Sequence, residues 1–223
     1  MAKKAERDEL TGLLSREGVQ KALENRVKNS KSAKGGFSVV LLDIDHFTKL
    51  NETFGRSIGD QALVALAEIL KKNIRSQDSA GRFAGEEFLL ILSDSEKEEA
   101  LIAFEDVRRL ISAKKFLFKD ENKKAVEVTF TVSAGIATYP KDGSDGMTLL
   151  RNADSALYMA KKFGRDRVVL AVEEKMVLKS NYYTRAQLER LSKVAKKVDV
   201  TESFLLREAL DKIIGQYEGP GEA

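Results

Sequence analysis

Two acids close an apolar stretch, and they are the first chemical signal in the chain. FSVVLLDID, residues 37–45, has the length and composition of a strand and ends on Asp43 and Asp45. A carboxylate there is costly unless it meets solvent, a partner or a cation, and period-2 alternation puts both on one side of the strand. A second acidic pair lies in the turn Ala84-Gly85-Glu86-Glu87, between the β-type runs Ser79–Phe83 and Phe88–Leu92. If strand end and turn meet, Asp43 and Glu86 form an oxygen-rich site for Mg²⁺, which takes one or two carboxylates and keeps room for phosphate and water. Taken singly, each motif also reads as ordinary strand-end or turn acids. Lys161 and Arg165 stand four apart near the end of a helical pattern. On one face they can grip phosphate oxygens; the same pair also reads as a complement to the helix dipole.

Composition narrows the chemistry to these residue types. The 223 residues include no cysteine and one histidine, His46. That excludes disulfide frameworks, thiol catalysis, cysteine zinc sites and multi-histidine metal sites. With 38 Lys and Arg against 35 Asp and Glu, no strong global field argues for nucleic acid. No stretch approaches the roughly 18–20 apolar residues of a membrane span, and MAKKAERDEL lacks the apolar core of a signal peptide. The expectation is a cytoplasmic protein with no membrane partner.

These residues need a scaffold, and the pattern supplies an α+β one. A helix starts after Ser15 with Val19, Leu23 and Val27 on one face, and a loop spans Lys28–Gly36. After the apolar strand, residues 57–74 form a helix with Leu63, Leu66, Ala67, Leu70 and Ile74 in a stripe. The hairpin follows, then a helix from Glu96 to about Phe116, one strand over VEVTFTVSAGIATY, a helix over 145–163 and a closing strand RVVLAV. This interleaving predicts a sheet with helices packed on it. Three regions are expected: a catalytic domain over 1–172, a small module over 173–217 and a disordered tail over 218–223. The module has a short run near Val177–Tyr183 and two amphipathic patterns, one through Leu188, Leu191, Ala195 and Val198, the other through Leu206, Ala209, Leu210 and Ile213. So small a unit buries little surface alone, and dimerisation is its natural remedy.

Four strings now stand in order: DELTGLLSR, DIDHFTKLNETFGRSIGD, RSQDSAGRFAGEEF and ADSALYMAKKFGRDRV. Together they resemble the GGDEF family of diguanylate cyclases, over about Arg7–Val172. The resemblance implies a polymerase-palm-like nucleotidyl cyclase sheet that condenses two GTP into cyclic di-GMP and two pyrophosphates, as a homodimer holding one GTP per protomer. By position, Asp43 and Glu86 would hold Mg²⁺ (or Mn²⁺) with the backbone carbonyl of Ile44, and Glu86 would serve as base for the attacking 3′-hydroxyl. Asn51 and Asp60 would bind the guanine edge, with Phe47, Arg56 and Gly85 also at the substrate. Lys161 and Arg165 would grip the triphosphate. Arg75 and Asp78 form RxxD at the offset of the family's inhibitory product site; the plain alternative is a surface ion pair. Three positions depart: Ala84 replaces the first signature glycine, Thr48 stands where the family usually has a phosphate-contacting lysine, and Arg56 replaces the usual histidine.

Residues from about Val177 to Ile214 resemble a ribbon-helix-helix module, in which two chains pair one strand each. That implies dimerisation, and DNA contact through Lys179 and Asn181 on the strand and Thr201 and Ser203 at the second helix's start. Nine positive against eight negative residues from Glu174 onward give only a weak electrostatic footprint, so DNA binding and pure dimerisation both stay open. Two functional readings follow. One is an active, product-inhibited cyclase; the other is an inactive cyclase domain that senses cyclic di-GMP and gates DNA binding by the tail.

Overall fold

Strand β1 (Phe37–Ile44) is buried at all eight positions, which is why its sequence runs apolar without alternation. In the computed structural model, which describes residues 6–32, 36–171, 182–197 and 202–217, it is the middle strand of a five-stranded mixed sheet. The sheet order is β2 (Ser79–Ala84), β3 (Glu87–Ser93), β1, β6 (Val132–Tyr139), β7 (Val168–Leu170), antiparallel except for the β6–β7 pair. The chain divides into two compact units, Met1–Glu174 and Lys175–Ala223, and the sheet belongs to the first.

Helices cover both faces. Phe37, Val39 and Leu41 point into one core with α1 (Arg16–Ser32) and α5 (Gly146–Lys162). Val40, Leu42 and Ile44 point into the other with α3 (Arg56–Asn73) and α4 (Lys97–Ser112). This period-2 division assigns each β1 side chain to a layer. Asp43, an odd position, falls on the α5 side. Helix α4 starts on a reciprocal capping box of Glu96 and Glu99, and α5 starts on Asp145, which accepts from the Thr148 N–H.

Several boundaries differ from the sequence expectation. Helix α1 continues through Lys28 to Ser32, because polar residues without glycine or proline do not stop a helix. An eight-residue helix, α2 (Phe47–Phe54), was not expected; Leu50 is its one buried residue, too little for a readable period. Helix α4 stops at Ser112. Phe116 and Phe118 alternate with exposed residues in β4 (Phe116–Lys119), which pairs with β5 (Ala125–Val128) as a separate hairpin. The long strand over 126–139 is therefore two strands in different sheets, β5 and β6. The chain breaks around Phe130, which stacks on Phe116 at 4.7 Å.

The second unit contains α6 (Arg185–Lys197) and α7 (Glu202–Tyr217). Most of the run near Val177–Tyr183, with Lys179, Asn181 and the cap Thr201, lies outside the described residues, while Ser203 falls within α7. Among the described residues no helix is long and apolar enough to cross a membrane.

Gly135 lets α5 sit directly on β6. A Cβ there would collide with the Ala153 carbonyl oxygen and the Leu157 nitrogen, both helix backbone. Gly135→Ala should therefore destabilise the first unit by about 1–3 kcal/mol or more, since helix backbone cannot rotate away. Urea denaturation against wild type measures it; a loss below about 0.5 kcal/mol would contradict so close an approach.

Candidate active site

The antiparallel register brings four loops to one end of the sheet. Asp43 near the end of β1 stands opposite Glu87 at the start of β3, so the β2–β3 turn, Gly85-Glu86, lies beside it. Gly85 has φ +44 with nothing within 4 Å of a Cβ, so it supplies a left-handed turn and leaves an open approach. Because β7 runs parallel to β6, the end of α5 also arrives here. Lys161, in the last turn of α5, places Nζ 2.8 Å from Asp43 Oδ2; the Asp43 side chain is 6% exposed and the lysine 32%.

This ion pair does not neutralise the site. Burial raises the Asp43 pKa; Lys161 pulls it back, and Glu86 and Asp45 push it further up. Burial also raises Glu87, with Asp43 and Asp154 adding to it, and burial raises Asp154 against the pull of Lys161. Asp43, Glu87 and Asp154 thus share one ammonium group, with Glu86 and Asp45 adding negative charge beside Asp43. Among the described residues no cluster of three or more acids or histidines forms a ready-made metal cage. An ion held by one or two carboxylates plus substrate phosphate needs none. Asp43, Glu86 and the Ile44 carbonyl suit such a hard cation, because the donors are oxygen and the site carries excess negative charge.

Asp45 has a different task from Asp43. Its carboxylate accepts from Thr131 Oγ1 and Ser133 Oγ, each at 2.7 Å, and from the Asp166 N–H at 3.0 Å. It ties the strand end to the link between α5 and β7. Arg165 lies in that link, not on the helix face it was expected to share with Lys161. The helix ends at Lys162, Gly164 turns at φ +109, and Arg165 and Asp166 follow at φ 64 and 46. Left-handed backbone costs a non-glycine residue about 1–2 kcal/mol, so the surroundings must hold this link in place.

Helices α2 and α3 carry the other expected substrate residues. Asn51 packs its side chain over Gly59, where a Cβ would collide with it. Asp60 lines a cavity of about 650 Å³ with Leu10, Ser57, Gln61, Phe118 and Lys119. Asn51, Phe47 and Arg56 do not line it. From the sequence, Leu10 and Phe118 in that cavity and Asp154 at the acidic end had no assigned role, although Leu10 and Asp154 lie inside the recognised strings; Glu87 was seen as a turn acid but given no task. At RxxD, Asp78 accepts from the Arg75 backbone N–H and from the Ser93 N–H, both at 2.8 Å. It closes a turn onto β3 rather than pairing with the Arg75 guanidinium. Arg75 is exposed.

Comparison with known proteins places this geometry. The family model for the diguanylate cyclase GGDEF domain matches residues 5–167. The chain belongs to the GGDEF family. It is 38% identical over 169 residues to diguanylate cyclase DgcP of Pseudomonas aeruginosa, covering 75% of this chain and 24% of that one. It is 34% identical over 165 residues to the probable diguanylate cyclase DgcC of Escherichia coli, covering 74% and 43%. The chain thus spans between about a quarter and two fifths of the length of these curated relatives. Among solved structures, the GGDEF domain of DgcB from Caulobacter crescentus, in complex with c-di-GMP, superposes with a TM-score of 0.71 at 27% identity, over 77% of this chain and 96% of that one. The GGDEF signature stands here as Ala84-Gly85-Glu86-Glu87-Phe88. Ala84 is exposed at the end of β2 and is not among the left-handed residues, so its methyl group meets no strain. Arg82 donates from Nε to the Gly85 carbonyl at 2.8 Å and supports the turn from behind.

The raised Asp43 pKa has a testable sign. Between the ordinary value of 3.8 and the raised folded value, the folded state binds more protons, so stability falls as pH rises through that window. Asp43→Asn removes this loss, and Lys161 stays solvated beside Glu87 and Asp154. In metal-free buffer the variant should melt above wild type at pH 7, and the gap should close as pH falls toward 3.8. A variant melting below wild type at pH 7 would mean that the ion pair outweighs burial.

Proposed function

We propose that the first unit is a Mg²⁺-dependent diguanylate cyclase. The convergence of Asp43, Glu86 and Glu87 with Lys161 at the open end of the sheet carries this reading. In it, each GTP 3′-oxygen attacks the α-phosphorus of the other GTP, and each attack releases pyrophosphate. Asp43, Glu86 and the Ile44 carbonyl hold Mg²⁺, with Mn²⁺ as substitute; when bound it supplies charge neutralisation at the transferring phosphoryl group. Glu86 accepts the 3′-hydroxyl proton. Lys161 leaves Asp43 for the triphosphate, and Arg165 meets it from the link. Asp60 accepts from the guanine N1–H and 2-amino group, donors that adenine does not offer together, and Asn51 completes the edge. Phe47, Arg56 and Gly85 border the nucleotide.

The reaction needs two protomers, since each supplies one nucleotide. Leu188, Val194, Leu210, Ile213, Ile214 and Tyr217 are large apolar side chains exposed on α6 and α7, and they suit self-association of a ribbon-helix-helix type. The alternative use of the same module is DNA contact through Lys179, Asn181, Thr201 and Ser203. The c-di-GMP held by the DgcB domain supports product inhibition here, at exposed Arg75 beside Asp78. GTP is a cytoplasmic substrate, and the protein is proposed to act there. Thr48, exposed on α2 without the family's usual cation, favours the second reading, a domain that binds cyclic di-GMP and turns over slowly or not at all.

Purified protein with GTP and Mg²⁺ should form cyclic di-GMP with two pyrophosphates per product, followed by chromatography and a pyrophosphate assay. Glu86→Gln should lower kcat by at least about 10²-fold, and Arg75→Ala should relieve inhibition by added product. A folded dimer that yields no product overturns the cyclase reading. Cyclic di-GMP binding that survives in that dimer and is lost with Arg75→Ala would establish the sensor.

A further inference from the structure

The link that carries Arg165 is held from a helix with no part in the site so far. Residues 163–167 join α5 to β7, and Gly164, Arg165 and Asp166 are left-handed in succession. Within the link, Arg165 N–H donates to the Ala160 carbonyl, and Arg167 Nε donates to the Arg165 carbonyl, both at 3.0 Å. These bonds turn the chain but leave its far side open.

Helix α4 closes that side. Arg108 Nη1 donates to Asp166 Oδ1 at 2.7 Å. Its Nε and Nη2 both donate to Glu105 Oε2, at 3.0 and 2.9 Å. The other Glu105 oxygen accepts from the Val168 N–H at 3.2 Å. One guanidinium–carboxylate pair therefore grips the residue after Arg165 and the first residue of β7. From the opposite side Asp45 accepts from the Asp166 N–H, so Asp166 is held by backbone on one flank and side chain on the other. Burial pushes the Glu105 pKa up, but hydrogen bonds from Arg108 and Val168 outweigh it and leave it below the usual range, as an ionised partner requires. The Arg108 side chain is 16% exposed, whereas its neighbour Arg109 is 69% exposed and reaches Glu105 only at 3.9 Å.

We propose that Arg108 is a positioning residue for the nucleotide: through Asp166 it holds Arg165 where the triphosphate lies. This rests on the reading of Arg165 as a triphosphate contact. A fork that engages two carboxylates at once is a task a lysine cannot duplicate, and misplacing a charged contact by about 1 Å is enough to weaken it severely.

The test is equilibrium binding of a GTP analogue with a methylene bridge between the α and β phosphorus atoms, measured calorimetrically with the full chain and Mg²⁺. Arg165→Ala and Arg108→Met should each weaken binding about tenfold, as loss of one charge-assisted contact does. The double variant should be no weaker than about twofold beyond either single one, because both remove the same contact. Arg109→Ala should bind within about twofold of wild type, since an exposed charge of equal sign contributes little. Unchanged binding by a folded Arg108→Met protein, beside a weakened Arg165→Ala, overturns the positioning role. So does full additivity, which would mean Arg108 acts apart from Arg165. If Arg165→Ala binds like wild type, the triphosphate reading of Arg165 fails and this proposal with it. Should Arg108→Met not fold, Asp166→Asn removes the same grip from the more exposed partner and answers the same question.

Discussion

A carboxylate buried near the end of a strand covered on both faces is the constraint on which this fold turns. Asp43 has little access to water, and its ion pair with Lys161 at 2.8 Å does not bring its pKa back to the ordinary value. A buried pair of this kind is weak evidence for stability, since desolvation consumes what the attraction supplies. Glu87 stands across the ladder from Asp43 and Asp154 lies along α5, so the nearest groups deepen the deficit of positive charge. Folding pays for a site that a cation and a polyphosphate together would complete.

Topology explains why the same end gathers everything else. With β3 and β6 both antiparallel to β1, the β2–β3 turn and the start of β6 must lie where β1 finishes. The parallel β6–β7 pair then forces a crossover, and α5 returns its C-terminus to that end. Backbone strain follows the same distribution. Of the five described non-glycine residues with left-handed φ, His46, Arg165 and Asp166 lie here, between β1 and α2 or between α5 and β7. Such residues persist only where the surroundings over-determine them, and Asp45 does this by bonding Thr131, Ser133 and Asp166 together.

What the sequence made legible was what burial patterns impose. The run FSVVLLDI, the stripe of α3 and the α5 helix each carry many core positions, and their periods survive in composition. Elements with one or two core residues were not legible: α2 buries only Leu50, and the β4–β5 hairpin hides inside a run that reads equally as the end of one helix and the start of one strand. In the site, Asp43 and Glu86 were visible because acids at an apolar strand end and beside a turn glycine are locally costly or unusual. Glu105 and Arg108 were not, since charged residues on an amphipathic helix look like any solvated face. Their partners lie about 60 residues away, and only tertiary structure reveals them.

Of the three departures from the family pattern, Ala84 and Thr48 weigh differently once the backbone is known. The β2–β3 turn asks for a left-handed residue at Gly85, and the preceding position is an exposed strand end, so Ala84 adds a methyl group where nothing opposes it. On the proposed reading, Thr48 takes a cation away from an end already crowded by Asp43, Glu86, Glu87 and Asp154. On the proposed cyclase reading, the positive charge that would meet a triphosphate falls on Lys161 and Arg165. Lys161 is tied to Asp43 and would have to exchange partners to reach it, whereas Arg165 sits in a left-handed link. On that reading, with one cation fewer, the rigidity of the link would matter more, and the Arg108 grip on Asp166 at 2.7 Å is what α4 contributes to it.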